Sequence, residues 1–415
     1  KGADSVGYTI TVIPDLHPQI SVEEFKDSAN LKMSFFAGDA SDDYGLTNLT
    51  FNYQVKKAKG GQMPMNTVKI EKQAGKQIQY EYNWDVRNLN LEPGDEVTYY
   101  FEVFDNDGVN GAKSARTGLM QYRMPTLDEF RQQQSQNSEE IKKDLEKALK
   151  ESLKVQEELK KLREKVLQKK EMDWQTRKEM EKLLDRQKQL QKQIEEAKQN
   201  FDENKQQQQD FNQQNEDQQQ KQEKLEKLFE DTMSEEMKQL IDDIQKLLQE
   251  MNKEQMLDQM EQMQLNTEDM SKELERLQEL YKQLEVENML NETVEQMEEL
   301  AKEQEELAQE TEESKKSDDQ LKQEQDELNK KFEDIEKKME ELLQKNEELK
   351  RPEKIEDNKE DMKDTKKDMK DAKQDLNQNQ KKSASKKQKS AANKMKNMAN
   401  KMKQNRQSGE MEQME

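Results

Sequence analysis

The chain has 415 residues, length for two or three ordinary domains. Charged residues are 39% of it and apolar ones only 30%, with no Cys and one His. These counts exclude a disulfide framework, a zinc site, a thiol nucleophile and a Ser-His-Asp triad with any choice of base. They leave shape, rather than a reaction, as what the sequence can reveal.

Turn formers divide the chain. Of 12 Gly, 11 lie at or before Gly118, and five of 6 Pro lie at or before Pro125. From Thr126 to Arg351 there is neither. A stretch that long without either residue cannot be turn-rich, and its Glu, Lys, Gln, Leu and Met favour helix. Charge divides it again: residues 126–350 hold 63 acids and 39 bases, whereas 351–407 hold 9 acids and 18 bases. The reading is therefore a β module over 1–125, an acidic long-helix region over 126–350, and a basic Met- and Ala-rich helical tail, partly disordered, over 351–415.

In the first module, strands are expected at Tyr8–Ile13, Leu31–Asp39, Leu49–Val55, Thr67–Lys72, Ile78–Trp84 and Glu96–Asp105, separated by Gly- and Asp-bearing turns. Short strands with a turn every 8–12 residues or so predict an immunoglobulin-like β-sandwich. Phe35, Tyr53, Trp84, Phe101 and Val103 are its core candidates. The Leu91-x-Pro93-Gly94 turn precedes a pair, Tyr99 and Tyr100, of which one turns inward.

Two acidic turns stand out, one holding Asp42 and Asp43, the other Asp105 and Asp107. Carboxylates at one end of a sandwich can bind calcium weakly through oxygen. The EF-hand spacing fails, because Gly108 is out of place and Arg116 stands where the bidentate Glu belongs. Asp also forms turns on its own account, so both readings stay open. His17 reads as a loop residue, and no other cofactor is expected.

The helical region opens on a capping box, Thr126-x-x-Glu129, after Pro125. Ile141, Leu145, Leu149, Leu153, Leu159, Leu162 and Val166 predict one buried face. A new start at Asp173-Trp174 leads to Leu183, Leu190, Ile194 and Phe201. Between Gln199 and Gln222 lie 11 Gln, anchored only at Phe201 and Phe211, which reads as a thin helix or a disordered link. Further starts are expected at Thr232-x-x-Glu235 and Asn266-x-x-Asp269, and a reversal at Glu313–Gln320 with a Ser317 cap. The apolar run Leu321, Leu328, Phe332, Ile335, Met339 and Leu342 follows. Phase breaks favour antiparallel coiled-coil hairpins over one unbroken parallel coil.

Past Pro352, Ile355, Met362, Met369 and Leu376 recur every seven residues, with Thr365 and Ala372 between them. Ala384, Ala391, Met395, Met398 and Met402 then line a helix carrying ten bases from Lys381 to Arg406. This stripe lacks Trp, Phe and Leu, so we expect it on the acidic helices of its own chain rather than on a membrane. Phosphate-cradling Gly loops and aromatic–basic interleaving are absent, so neither an ATPase nor a nucleic-acid partner is expected.

At Asp42–Leu46, Tyr99–Ser114 and Met172–Ile194 the chain resembles an uncharacterised bacterial family of large envelope proteins. In that family, membrane spans precede a β-sandwich and a long Gln/Glu/Lys/Met-rich helical region. The resemblance implies an extracytoplasmic, periplasmic location and an inner-membrane anchor outside this chain, which we expect to be a piece of a longer protein. It supplies no catalytic residues. The expectation is a non-enzymatic scaffold or spacer, with protein partners in an envelope assembly or self-association. The alternative is a ligand- or calcium-binding sandwich carried on a helical stalk.

Overall fold

A computed structural model describes Tyr8 and residues 15–26, 32–73, 75–108, 111–171, 173–210, 216–233, 235–250, 253–313 and 316–414. Among the described residues, antiparallel β-sheets come first and long α-helices follow. The chain divides into two compact units, residues 1–137 with 202–207, and residues 138–201 with 208–415.

The strands are β1 (Gln19–Lys26), β2 (Met33–Ser41), β3 (Leu46–Lys56), β4 (Asn66–Ile70), β5 (Gln77–Asp85), β6 (Glu96–Asp105), β7 (Ser114–Arg116) and β8 (Met120–Arg123). One sheet runs β1-β2-β5; the other runs β4-β3-β6-β7, with β8 also on β6. The expected strand at Tyr8–Ile13 lies outside the described residues except for Tyr8 itself. β1, β7 and β8 were not read from the sequence, because Glu23 and Glu24 break the apolar run in β1 and the last two strands are short.

The sheets face each other through aromatic rings. Phe36 on β2 lies 5.2 Å from Phe101 and 5.7 Å from Tyr99 on β6, and Trp84 on β5 lies 4.8 Å from Tyr99. Strand periodicity of two decides who points inward. Tyr99 is fully buried and Tyr100 only half-buried, which settles that pair. Trp84, Phe101 and Val103 are core and Tyr53 packs on its margin. Phe35 is not core: it is 37% exposed, opposite Phe25 on the outer face, because Phe36 holds the inward register. At Gly38 a Cβ would come within 2.6 Å of the Tyr80 ring. The bare glycine lets the Tyr80 hydroxyl donate to the Ser21 carbonyl at 2.9 Å.

The helices are α1 (Leu127–Gln168), α2 (Trp174–Asp210), α3 (Glu216–Thr232), α4 (Glu235–Glu250), α5 (Lys253–Glu313), α6 (Asp318–Glu347), α7 (Lys359–Asn377) and α8 (Lys381–Met414). The Thr126 box is reciprocal: Glu129 N–H donates to Thr126 Oγ1 at 3.2 Å, and Thr126 N–H donates to the Glu129 carboxylate at 2.9 Å. Asp173 caps α2 through the Thr176 N–H at 2.9 Å, and Ser317 with Gln320 boxes the start of α6.

Of two further expected starts, one occurs without its expected cap, since α4 begins at Glu235, and the other fails. Thr232 closes α3, its hydroxyl turned back onto the Leu228 carbonyl at 2.6 Å. Asn266 lies inside α5, a continuous 61-residue helix. Its buried seam runs Met256, Met260, Met263, Thr267, Met270, Leu274, Leu277, Tyr281 and Leu284, so heptad spacing carries the helix past any local cap signal. On α1, Leu153 is 45% exposed and Ser152 fills the inward slot, because the true seam steps Ile141, Leu145, Ala148, Ser152, Val155, Leu159. In the Gln-rich tract, α2 continues to Asp210 and α3 resumes at Glu216, while Phe211 lies outside the described residues.

In the helical unit, α1, α2, α3 with α4, and the first half of α5 share apolar cores. Arg163 pairs with Glu261 and Ser152 with Ser271, so α1 and α5 run antiparallel. The second half of α5 forms an up-down-up-down four-helix bundle with α6, α7 and α8 around one core. α5 thus serves both. Residues 284–290 are buried on several sides where the seam changes phase. There Glu285 meets Lys345 at 2.6 Å and Glu287 meets Lys221 at 2.6 Å. Burial alone would lower the Lys345 pKa, but Glu285 and Glu139 together hold it above the ordinary lysine value.

Candidate functional site

The two acidic turns do lie side by side. β3 and β6 pair Leu46 with Asp105, and Asn106 Nδ2 donates to the Tyr44 carbonyl at 3.2 Å. Each turn uses its carboxylates internally. Asp42 Oδ2 accepts from the N–H groups of Tyr44 at 2.9 Å and Gly45 at 2.8 Å, an Asx turn. Asp105, 1% exposed, accepts through Oδ1 from the N–H groups of Asp107 at 3.2 Å and Lys113 at 2.8 Å. Its Oδ2 faces the Lys113 ammonium at 3.4 Å, and that ammonium also binds Asp15. Lys113 therefore places a fixed cation beside the second turn, a residue that the sequence reading overlooked. Asp42 Oδ1 and Asp43 Oδ1 are buried without a hydrogen-bond partner. Among the described residues, no three His, Cys, Asp or Glu side chains are grouped to hold a metal ion. His17 is exposed.

The basic helix α8 lies antiparallel to α5 and to α7. Lys389, Lys396 and Lys403 reach Glu312, Glu305 and Glu298 of α5 at 2.5, 2.5 and 2.7 Å. On its other flank Lys387, Lys394 and Lys401 reach Asp375, Asp368 and Asp361 of α7 at 3.2, 2.8 and 2.9 Å. Both sets recur every seven residues, the repeat of the seam beneath. Between them Ala384, Ala391, Met395, Met398 and Met402 are buried, as the sequence predicts. Contact with the acidic helices of its own chain is thus the arrangement observed. The seam against α5 is narrow, and Ser385 Oγ donates to the Ala308 main-chain carbonyl at 2.9 Å. Small buried residues on both helices, Ala301 and Ala308 on α5 and Ser385 and Ala392 on α8, suit that approach.

One polar layer interrupts this core. Gln304 of α5 and Gln325 of α6 exchange side-chain hydrogen bonds at 3.0 and 2.9 Å. Gln388 of α8 donates to Gln325 Oε1 at 2.9 Å. All three are fully buried. A count of apolar residues misses them, although each stands four residues after an apolar core position: Leu300, Leu321 and Ala384.

An open groove of about 410 Å³ on α5 and the α6 end is lined by Lys272, Glu275, Arg276, Glu279, Leu280, Gln283 and Lys350, a mixed-charge surface without an enclosed apolar wall. Among the described residues, no helix is long and apolar enough to cross a membrane. No family model, curated protein or solved structure matches the chain.

Proposed function

We propose that this chain is a non-enzymatic structural and protein-interaction element, a scaffold or spacer, of a bacterial cell-envelope protein. The observation that carries the reading is α5. Its 61 residues would span about 90 Å as a straight helix, and both halves are spent on packing other helices. Buried side chains along it serve helix contacts, which suits a stiff connecting element. The sandwich would act as a rigid adaptor. Its first, second and fifth strands in one sheet, and third, sixth and seventh in the other, support an immunoglobulin-like reading, with β4 moved to the edge beside β3.

The extracytoplasmic placement and an inner-membrane anchor outside this chain rest on the family resemblance. They are tested by protease protection in bacteria expressing the protein with its native flanking segments. Digestion in spheroplasts, with cytoplasmic markers intact, is the expected result. Protection until the inner membrane is lysed would overturn the placement.

A further inference from the structure

We infer that the buried Gln304–Gln325–Gln388 layer is a register lock, which holds the α7–α8 hairpin at one position along α5 and α6. The need for a lock follows from the repeat. The α5–α8 ion pairs recur every seven residues. So do buried residues along both helices, Ser385, Ala392 and Ala399 on α8 and Ala308, Ala301 and Val294 on α5, with Ser385 meeting Ala308 directly. Sliding the hairpin by one heptad, about 10.5 Å, would keep two of the three α5–α8 rungs in either direction. It would keep all three α7–α8 rungs, because α7 and α8 travel together through the short turn at Gln378–Gln380. The non-helical stretch 348–358 between α6 and α7 is long enough to absorb the shift.

Ion pairs and small-residue contacts therefore discriminate poorly between registers. The amides discriminate well. In the observed register Gln388 donates to Gln325, which is doubly bonded to Gln304. Slid one heptad one way, the Gln388 amide enters the level of Met297 and Phe332. There its N–H loses the Gln325 acceptor, while its Oε1, already without a partner in the observed register, gains none. Slid the other way it reaches the level of Thr311 and Asp318, so the lock acts against the first slide. Leaving a buried donor unpaired costs more than the bond itself is worth. A single polar group at a core position fixing the alignment of a repetitive bundle is the best-attested use of such groups.

The chain has no Cys, so disulfide trapping has no background. Three double variants report on register: Ala301→Cys with Ala392→Cys for the observed one, and Val294→Cys with Ala392→Cys or Ala301→Cys with Ala399→Cys for the two slipped ones. A slide of one heptad exceeds disulfide reach, so each pair answers for one register. In the otherwise native chain only the first pair should close under mild oxidation. With Gln388→Leu, and with the near-isosteric Gln388→Met, helicity should persist and the Val294–Ala392 pair, which reports the slide toward Met297 and Phe332, should close in a fraction raised roughly ten- to hundred-fold, the factor set by one unsatisfied buried amide. Helical variants that still close only the first pair would overturn the lock. So would loss of helicity in both variants, since the amide would then be a support of the fold rather than a marker of register.

Discussion

The Tyr99 hydroxyl donates to the Glu24 carboxylate at 2.9 Å, joining β6 of one sheet to β1 of the other. Glu24 points inward because its register partner is the core residue Phe36. The same carboxylate oxygen accepts from the Ser34 hydroxyl at 3.0 Å. Both hydroxyls help an acidic residue to sit on an inner face, since a carboxylate taken from water must be met by donors.

Removing one donor should therefore expose the cost. Tyr99→Phe leaves the ring contacts and deletes the bond to a charged group, an expected loss of about 1–3 kcal/mol. Denaturant unfolding followed by Trp84 emission in a Trp174→Phe background measures it, since Trp84 is buried and Trp174 is 70% exposed. An unchanged midpoint would mean that Glu24 finds another donor.

The sandwich should also respond to pH at both extremes. Burial, then Asp39, pushes the Tyr80 hydroxyl above the ordinary phenol range; burial, then Glu24, does the same for Tyr99. Above pH about 10 the unfolded chain releases phenolic protons that the native state keeps, so stability is whole below that pH and falls above it. On the acid side, burial would raise the Asp95 pKa, but Lys57 at 2.7 Å and the Ala58 and Glu92 N–H groups hold it below the usual range. Its contribution is present above pH about 4 and fades as pH falls through the depressed value. Melting curves across pH should show both limbs, with Tyr80→Phe flattening the alkaline one and Asp95→Asn the acid one.

The rungs beside α8 are surface ion pairs, and such pairs contribute little and are screened. Replacing Lys389, Lys396 and Lys403 together by Gln should lower the melting temperature of the helical unit modestly at low ionic strength. In about 1 M salt, where the Debye length is about 3 Å, the difference should vanish. Release of α8 by salt alone, seen as loss of crosslinks from its lysines to α5, would show that charge rather than the Met and Ala core holds it.

Packing should matter more. Ala392→Leu inserts a branched side chain at a buried small position of α8, and overpacking of this kind costs about 1–3 kcal/mol. Met395→Leu conserves volume in the same core and should cost less than about 1.5 kcal/mol. Thermal unfolding by circular dichroism ranks the two, and the reverse order would contradict the narrow seam.

Asp42, Asp43, Asp105 and Asp107 give the remaining prediction. Because Lys113 supplies the cation beside Asp105, millimolar calcium should leave the melting temperature of the sandwich unchanged. A rise of several degrees that Asp105→Ala abolishes would instead establish calcium binding at these turns. Asp105→Ala by itself should destabilise the sandwich, since it orphans the Asp107 and Lys113 N–H groups.

Much of the fold was legible. Residue spacing marked β6 from Glu96 to Asp105, the Thr126 and Ser317 boxes, the reversal before α6 and the heptads of Met362, Met369 and Leu376. These features are local, set by periodicity and cap chemistry within a few residues of one another. Where reading failed, a longer-range contact had prevailed. Cap-like residues at Asn266 could not end α5 against a seam that runs through them, and Phe35 yielded the inward register to Phe36.

The sequence by itself determined the β-then-α order, the helix periods and the charge of each segment, because these depend on residue types in fixed local spacing. Only the tertiary structure decided which equivalent heptads face each other, that Gln304, Gln325 and Gln388 meet in one buried layer, and that Lys113 stands beside Asp105. A seven-residue repeat looks the same at every turn, and buried amides and ammonium groups select among its copies only when the helices and strands that carry them are brought together.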